Sequence, residues 1–124
     1  MKQKNIFFLV IVLLVLGTVA TVLLQGGGGN VPLGKYDTFA QCLASKNLTM
    51  YGASWCSHCK AQKERFGDSF KYVPYVECTE KSDECIAKGV ESYPTWIDEK
   101  GQKYVGEQEL DNLAKISGCV LPAN

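Results

Sequence analysis

The sequence predicts an α/β domain, in which helices cover both faces of a mixed β-sheet, preceded by one N-terminal transmembrane helix. Two observations lead to this prediction. Helix and strand signals alternate along residues 37–117 of the 124-residue chain, and such alternation is typical of a sheet packed against helices. Residues 6–24, by contrast, carry no charge. About a hundred residues therefore remain for one small folded domain.

The apolar segment at residues 6–24, IFFLVIVLLVLGTVATVLL, is long enough to span a membrane. At about 1.5 Å per residue, a helix of this length approaches the thickness of the bilayer hydrocarbon core. A cleaved secretory signal is the alternative, but its apolar region is usually about 7–15 residues long and ends at an A-x-A-like site. Because Lys2 and Lys4 precede the segment, we expect residues 1–5 in the cytoplasm. The chain is then a single-pass protein of the cell membrane with an extracytoplasmic domain, on the periplasmic or cell-surface side.

The rest of the chain divides into a linker and the domain. Residues 25–34, QGGGGNVPLG, predict a flexible linker, because four consecutive glycines leave the backbone with great freedom. The domain is predicted at residues 35–124, with 11 basic residues against 13 acidic ones once Lys2 and Lys4 are set aside. This mild acidity gives no electrostatic basis for binding nucleic acid.

Three elements form the first half of the predicted domain. Asp37 or Thr38 can cap a helix that runs to about Lys46, with apolar residues on one face at i, i+3 and i+4 spacing. A short apolar strand follows at residues 48–52. A polar helix is then predicted at residues 57–66, where a glycine ends it.

The second half of the domain begins with a strand at residues 75–78, which Pro74 leads into. Ser82, followed by two acidic residues, opens a helix that Gly89 closes. The final predicted elements are a hairpin around DEKG, with strands at 95–97 and 102–105, and a helix at 109–117 that Gly118 stops.

Two motifs resemble those of a known fold. WCSHCK at the end of the first strand and SYPTW before the hairpin resemble the active-site motif and the cis-proline loop of the thioredoxin-like fold. More closely, YGASWCSHCKAQKERFG, PYVEC and SYPTWI resemble the thioredoxin-like domain fused to, or encoded beside, bacterial homologues of vitamin K epoxide reductase. The resemblance covers Tyr36 to about Gly118 and implies a redox-active cysteine pair.

The positions of Cys56 and Cys59 assign them different roles. A cysteine in the first turn of a helix has its sulfur beside unpaired N–H groups and the positive end of the helix dipole, which favour the thiolate. Cys56 is therefore the predicted nucleophile, and Cys59 the resolving thiol that attacks a mixed disulfide. We expect Ser57 and His58 to tune the potential, because an imidazole near the thiolate stabilises the reduced form. Cys-x-His-Cys is similar to the centres of exported oxidases and isomerases, and no cofactor beyond this disulfide is expected.

One position departs from the pattern of the family. Thioredoxins commonly bury an acid beneath the cysteine pair, and the residue that would align with it is Met50. Glu77 on the next strand could substitute, although an exposed strand carboxylate is an equal alternative. The group that takes the proton of the resolving thiol is therefore left open.

The resemblance also implies a substrate-binding loop. Pro94 would be cis, with its backbone beside the disulfide and the preceding Tyr93 paired with an extended substrate backbone. An ordinary trans proline at the start of a strand is the alternative. Trp55, next to the nucleophile, is predicted to form an apolar rim for unfolded chains, although Trp55 and Trp96 could both be core residues.

Four cysteines remain outside the motif, and an exported domain with six cysteines favours stable disulfides. The related domains carry a pair similar to Cys78 and Cys85, so the resemblance implies a structural bond there, worth about 2–3 kcal/mol. Cys42 and Cys119 could form the third bond by elimination, with a buried free Cys42 as the alternative.

These observations predict a membrane-anchored thiol:disulfide oxidoreductase that oxidises cysteines of exported proteins. The resemblance implies a quinone-linked membrane homologue of vitamin K epoxide reductase as the partner that reoxidises it. The same fold working as a reductase or isomerase, kept reduced by another membrane carrier, is the alternative. A zinc site is disfavoured because the spacing of the second cysteine pair is wrong for it, and a silent docking module because both active-site cysteines are present.

Overall fold

A computed structural model describes residues 2–24 and 34–123 of the chain. The chain divides into two compact units, an N-terminal one to Pro32 and a C-terminal one from Leu33. The predicted linker at residues 25–34 lies outside the described residues, apart from Gly34.

The described part of the N-terminal unit is a single helix, α1 (Lys2–Leu24). Its apolar side chains are exposed all round, from Ile6 to Val19. A helix that is apolar on every side suits a lipid environment, and this one is long and apolar enough to be a candidate membrane span. A membrane anchor and a signal sequence both fit this feature.

The C-terminal unit contains four strands, four α-helices and one 3₁₀ helix in its described part. In chain order they are α2 (Asp37–Ser45), β1 (Thr49–Gly52), α3 (Ser57–Phe66), the 3₁₀ helix (Gly67–Tyr72), β2 (Tyr75–Glu77), α4 (Ser82–Ala87), β3 (Thr95–Ile97), β4 (Lys103–Val105) and α5 (Leu110–Ser117). The 3₁₀ helix was not predicted. Gly67, with φ of 56°, ends α3. The ring of Phe70 then packs 5.9 Å from that of Phe66, measured between centroids. This local apolar contact stabilises the 3₁₀ helix, whose sequence has no clear helical period.

The four strands form one mixed sheet in the order β2-β1-β3-β4. β1 is parallel to β2 and antiparallel to β3, and β3 is antiparallel to β4. On one face, Met50 and Trp96 lie opposite each other and pack in a core with residues of α2, α3 and α5. On the other face, Tyr51 and Ile97 pack with Cys85 of α4. The predicted α/β class, a mixed sheet with helices on both faces, is therefore confirmed.

The larger core is centred on buried aromatic rings. Phe66 of α3 lies 6.1 Å from Phe39 and 6.2 Å from Trp96, measured between ring centroids. Trp96 is fully buried, and its indole N–H donates to Oε1 of the buried Gln62 at 3.3 Å. Gln62 also accepts from the backbone N–H of Gln108 at 2.6 Å. These bonds satisfy a buried polar group and tie α3 to the loop after β4.

Two disulfides join separate parts of the domain. Cys42 of α2 is bonded to Cys119 near the chain end, and Cys78 at the end of β2 to Cys85 of α4. The first bond spans 77 positions of sequence and the second spans 7. The two bonds therefore constrain the unfolded chain to very different extents.

We expect the loss of the Cys42–Cys119 bond to be the more destabilising. Replacing both cysteines by alanine removes a large closed loop from the unfolded state and should lower the free energy of unfolding by about 4 kcal/mol, against about 2 kcal/mol for the Cys78–Cys85 pair. The measurement is denaturant unfolding of the full chain in detergent micelles, followed by tryptophan fluorescence. Equal losses, or a larger loss for the short loop, would contradict this expectation.

Candidate active site

The site begins where β1 passes into α3. The backbone N–H of Cys56 donates to the carbonyl of Ala53 at 3.1 Å, which closes a tight turn after the strand. Cys56 caps α3 with φ of −77° and ψ of 117°, and its sulfur accepts a hydrogen bond from the N–H of Cys59 at 3.1 Å. The sulfur takes the place of the side-chain oxygen of a usual cap, at the positive end of the helix. This position suits a nucleophilic thiolate.

Cys56 and Cys59 are both free thiols, whereas the other four cysteines are in disulfides. Cys56 is 6% exposed and Cys59 only 1%. Burial raises the pKa of the Cys59 thiol to about 12, and its hydrogen bond with Cys56 acts in the same direction. The reduced Cys59 therefore remains a thiol at neutral pH, and Cys56 is the cysteine nearer to solvent.

An open groove of about 530 Å³ lies over Cys56. It is lined by Trp55, Cys56, Ser57, His58, Glu91, Ser92 and Tyr93. Trp55 is 70% exposed and meets the ring of Tyr93 edge to face, with 5.9 Å between the centroids. These two rings form an apolar wall beside Cys56, and Trp55 is not a core residue.

The peptide bond between Tyr93 and Pro94 is cis. Pro94 is fully buried, and its carbonyl accepts a hydrogen bond from the N–H of Gly106 at 2.7 Å. The structure thus brings Tyr93, Trp55 and Cys56 to one groove. Trp96 lies apart from them, buried in the core.

His58 is held by a residue that the sequence analysis missed. Its Nδ1 lies 2.6 Å from Oε1 of Glu107, in the loop after β4. The hydrogen bond with His58, assisted by Arg65, lowers the pKa of Glu107 against a smaller opposing effect of burial. Arg65 of α3 also bonds Glu109 at 2.6 Å. Glu107 therefore orients the imidazole next to the cysteine pair, and no local signal in the sequence connects two residues so far apart.

Glu77 is held in place by several donors. It accepts hydrogen bonds from the hydroxyl of Tyr75 at 2.7 Å, from the hydroxyl of Thr79 at 2.7 Å and from the N–H of Ser54 at 3.0 Å. Burial raises the pKa of Glu77, but these bonds together outweigh it and leave the pKa below its ordinary value. The carboxylate is ionised at neutral pH and joins β2 to the turn before α3.

Tyr75 lies between Glu77 and the cysteine pair. A Cβ added at Gly52 would lie 3.0 Å from the sulfur of Cys59 and 3.2 Å from the hydroxyl of Tyr75. The thiol and the hydroxyl therefore border the same small space, which exists because residue 52 has no side chain. Met50, at the position where an acid would align, is apolar and fully buried.

Comparisons with known proteins agree with this geometry. Residues 31–117 match the family model described as thioredoxin. The chain is 41% identical over 91 residues to the thiol-disulfide oxidoreductase LTO1 of Arabidopsis thaliana, which covers 66% of this chain and 24% of that protein. It is 33% identical over 93 residues to the protein disulfide-isomerase of Humicola insolens, which covers 68% of this chain and 17% of that protein. The chain thus spans less than a quarter of the length of either relative.

The contribution of Glu77 to stability is expected to depend on pH. Because the pKa of Glu77 in the folded protein lies below its ordinary value, the ionised group stabilises the fold above that ordinary value, and the contribution is lost as the pH falls through the lowered pKa. Glu77→Gln should lower the free energy of unfolding by about 1 kcal/mol at neutral pH, and by progressively less as the pH falls from neutral through the lowered pKa.

The measurement is denaturant unfolding of both chains over this pH range. Glu80→Gln, which removes the same charge from an exposed position in the turn after β2, is the control. A loss in Glu77→Gln that does not change with pH would show that the charge of Glu77 is not what stabilises the fold.

Proposed function

The chain belongs to the thioredoxin family, and on that premise we propose that it is a thiol:disulfide oxidoreductase whose redox centre is the pair Cys56 and Cys59. One observation carries the proposal: these two thiols are free at the start of α3, with Cys56 lining an open groove, while the other four cysteines are closed in disulfides. The reversible disulfide is the redox group, and no cofactor is proposed beyond it. The activity named for LTO1 of Arabidopsis supports this class of reaction.

In the oxidising direction, a thiolate of the substrate attacks the sulfur of Cys56 in the oxidised pair. The Cys56–Cys59 bond breaks, a bond between substrate and Cys56 forms, and Cys59 leaves as a thiolate that takes up a proton. A second thiolate of the substrate then displaces Cys56. Two electrons have passed to the protein, and the substrate carries a new disulfide.

The groove suits an extended, unfolded substrate. The backbone of Tyr93, before the cis-proline, is proposed to pair with the substrate backbone, and Trp55 with the ring of Tyr93 offers it an apolar wall. Ser57 and His58 are proposed to tune the potential from within the motif.

Oxidation of exported proteins is the direction we propose. The two disulfides Cys42–Cys119 and Cys78–Cys85 support an oxidising compartment, and the histidine between the active cysteines supports an oxidising potential. The helix α1, with Lys2 and Lys4 at its start, is proposed to be an uncleaved single-pass anchor with a cytoplasmic N-terminus and an extracytoplasmic domain.

The proposed partner for reoxidation is a membrane homologue of vitamin K epoxide reductase that passes electrons to a quinone. The resemblance of YGASWCSHCKAQKERFG, PYVEC and SYPTWI to the thioredoxin-like domains associated with such enzymes supports this pairing. A membrane anchor would keep the domain near a partner in the same bilayer and raise its effective concentration.

Isomerase or reductase activity is the second candidate. The similarity to a protein disulfide-isomerase of Humicola insolens favours it. In this case another membrane carrier would keep Cys56 and Cys59 reduced. Cys59 would attack the mixed disulfide between the substrate and Cys56, so that electrons pass from the protein to the substrate.

The reduction potential of the Cys56–Cys59 pair separates an oxidase or isomerase from a reductase of the thioredoxin type. We expect a value near or above about −200 mV, as in oxidases and isomerases, when the full chain in detergent is equilibrated with glutathione buffers and its thiols are trapped for mass spectrometry. A value near about −270 mV would identify a reductant of the thioredoxin type instead. Cys56→Ser is the control that should abolish exchange, and activity that survives it would overturn the assignment of the redox centre.

The proposed partnership can be tested in cells. Deletion of the quinone-linked reductase should leave Cys56 and Cys59 reduced, because their route of reoxidation is lost. Alkylation of free thiols in acid-quenched cells measures their state. A pair that remains oxidised after the deletion would exclude this partner without excluding the oxidoreductase activity.

A further inference from the structure

The chemistry of Cys59 presents a problem that the proposed function leaves unsolved. In either direction of exchange Cys59 passes through its thiolate, as the leaving group or as the attacking group. Its surroundings oppose this, since the side chain is 1% exposed and the burial raises its pKa to about 12. A buried acid could help to deprotonate Cys59, but among the described residues the one fully buried carboxylate is that of Asp37. It accepts a hydrogen bond from Gly34 at the start of α2 and is not one of the groups that act on Cys59. Met50 places a thioether where an acid would align.

A cation lies close to Cys59 instead. Lys63 follows Cys59 by one helical turn on α3, and residues at i and i+4 lie on the same face of a helix. Its ammonium lies 3.8 Å from the centroid of the Tyr75 ring and 5.4 Å from that of Phe70. Both distances are within the range of cation–π attraction. The positive charge of Lys63 lowers the pKa of Cys59 and so offsets part of the effect of burial.

Tyr75 in turn has a fixed orientation. Its hydroxyl donates to Glu77, and its ring packs edge to face on Phe70 with 5.7 Å between the centroids. The hydroxyl end of the ring borders the space at Gly52 that the sulfur of Cys59 also borders. The ring that holds the ammonium is therefore the ring beside the resolving thiol.

We propose that Lys63, positioned on the face of Tyr75, stabilises the thiolate of Cys59 during disulfide exchange, in place of a buried acid. Lys63 is a positioning residue in this sense, because it acts through its charge and exchanges no proton. When Cys59 resolves a mixed disulfide, its proton goes to water, its thiolate forms a bond with the sulfur of Cys56, and the partner leaves as a thiolate. In the reverse direction the same charge stabilises Cys59 as it leaves. The inference rests on the proposed function, because it concerns a step of that exchange.

The titratable groups that face Cys59 come from two elements. Cys56 and Lys63 lie on its own helix, and Tyr75 faces it from β2 with Glu77 bonded behind it. Cys56 disfavours a negative charge on Cys59, and Lys63 favours it. Glu77 and Cys56 disfavour a negative charge on the neighbouring Tyr75. A change at Lys63 should therefore move the pH dependence of the resolving step in a defined direction.

The test follows two successive steps in one experiment. The reduced full chain in detergent micelles is mixed with the disulfide of thionitrobenzoate. Cys56 displaces one thionitrobenzoate at a rate proportional to the reagent concentration, and Cys59 then displaces the second at a rate independent of it. With Lys63→Met we expect the second release to slow about tenfold at neutral pH and its pH profile to move up by about one unit, with the first release nearly unchanged.

Two variants complete the design. Lys63→Arg keeps the charge and should restore most of the second rate. Lys60→Met removes the same charge from an exposed position of the same helix and should leave the second rate nearly unchanged. A second release that Lys63→Met does not slow, or that Lys60→Met slows equally, would overturn the role of Lys63 alone. A wild-type chain that releases only one thionitrobenzoate would instead overturn the proposed function, because its two cysteines would not form a disulfide.

Discussion

The arrangement of the site depends on the burial of one face of α3. Cys59, Gln62 and Phe66 lie at i, i+3 and i+7 and are all buried, so a single stripe of side chains fixes the rotation of the helix on the sheet. Cys56 at the start of the helix then lies at the rim, where its sulfur meets unpaired backbone N–H groups. The rotation of one helix thus decides which cysteine lines the open groove and which remains inside.

The burial of Cys59 also opposes disulfide exchange at this residue. A thiol enclosed by the protein resists ionisation, whereas exchange needs its thiolate. Met50 is a buried apolar residue of the core that also contains the cysteine pair, and the positive charge that acts on Cys59 comes from Lys63 in the C-terminal half of α3. Lys63, Tyr75 and Glu77 form one continuous series of contacts there. Met50 therefore contributes to the packing of the core, whereas Lys63, Tyr75 and Glu77 determine the electrostatic surroundings of the pair.

The six cysteines of this chain show how position determines the chemistry of one residue type. Cys42 and Cys119 join elements far apart in the sequence, and their bond constrains the chain. Cys78 follows Glu77 directly, so its bond to Cys85 also holds the end of the strand that carries Tyr75 and Glu77, the groups near Cys59. A bond that takes no part in exchange can therefore support the geometry of the pair that does.

The sequence by itself determined the features that depend on nearby residues. Capping residues, glycines and apolar spacing act within a turn or two, so the bounds of α3 at Ser57–Phe66 and the mixed α/β class could be predicted, and the one-turn spacing of the cysteine motif located the pair. Only the tertiary structure decided that Glu107 binds His58 and that Lys63 lies over Tyr75. These contacts depend on how α3 packs against β2 and against the loop after β4. Distances between packed elements are not encoded in any local period of the sequence, because they result from the fit of many side chains in the core at once.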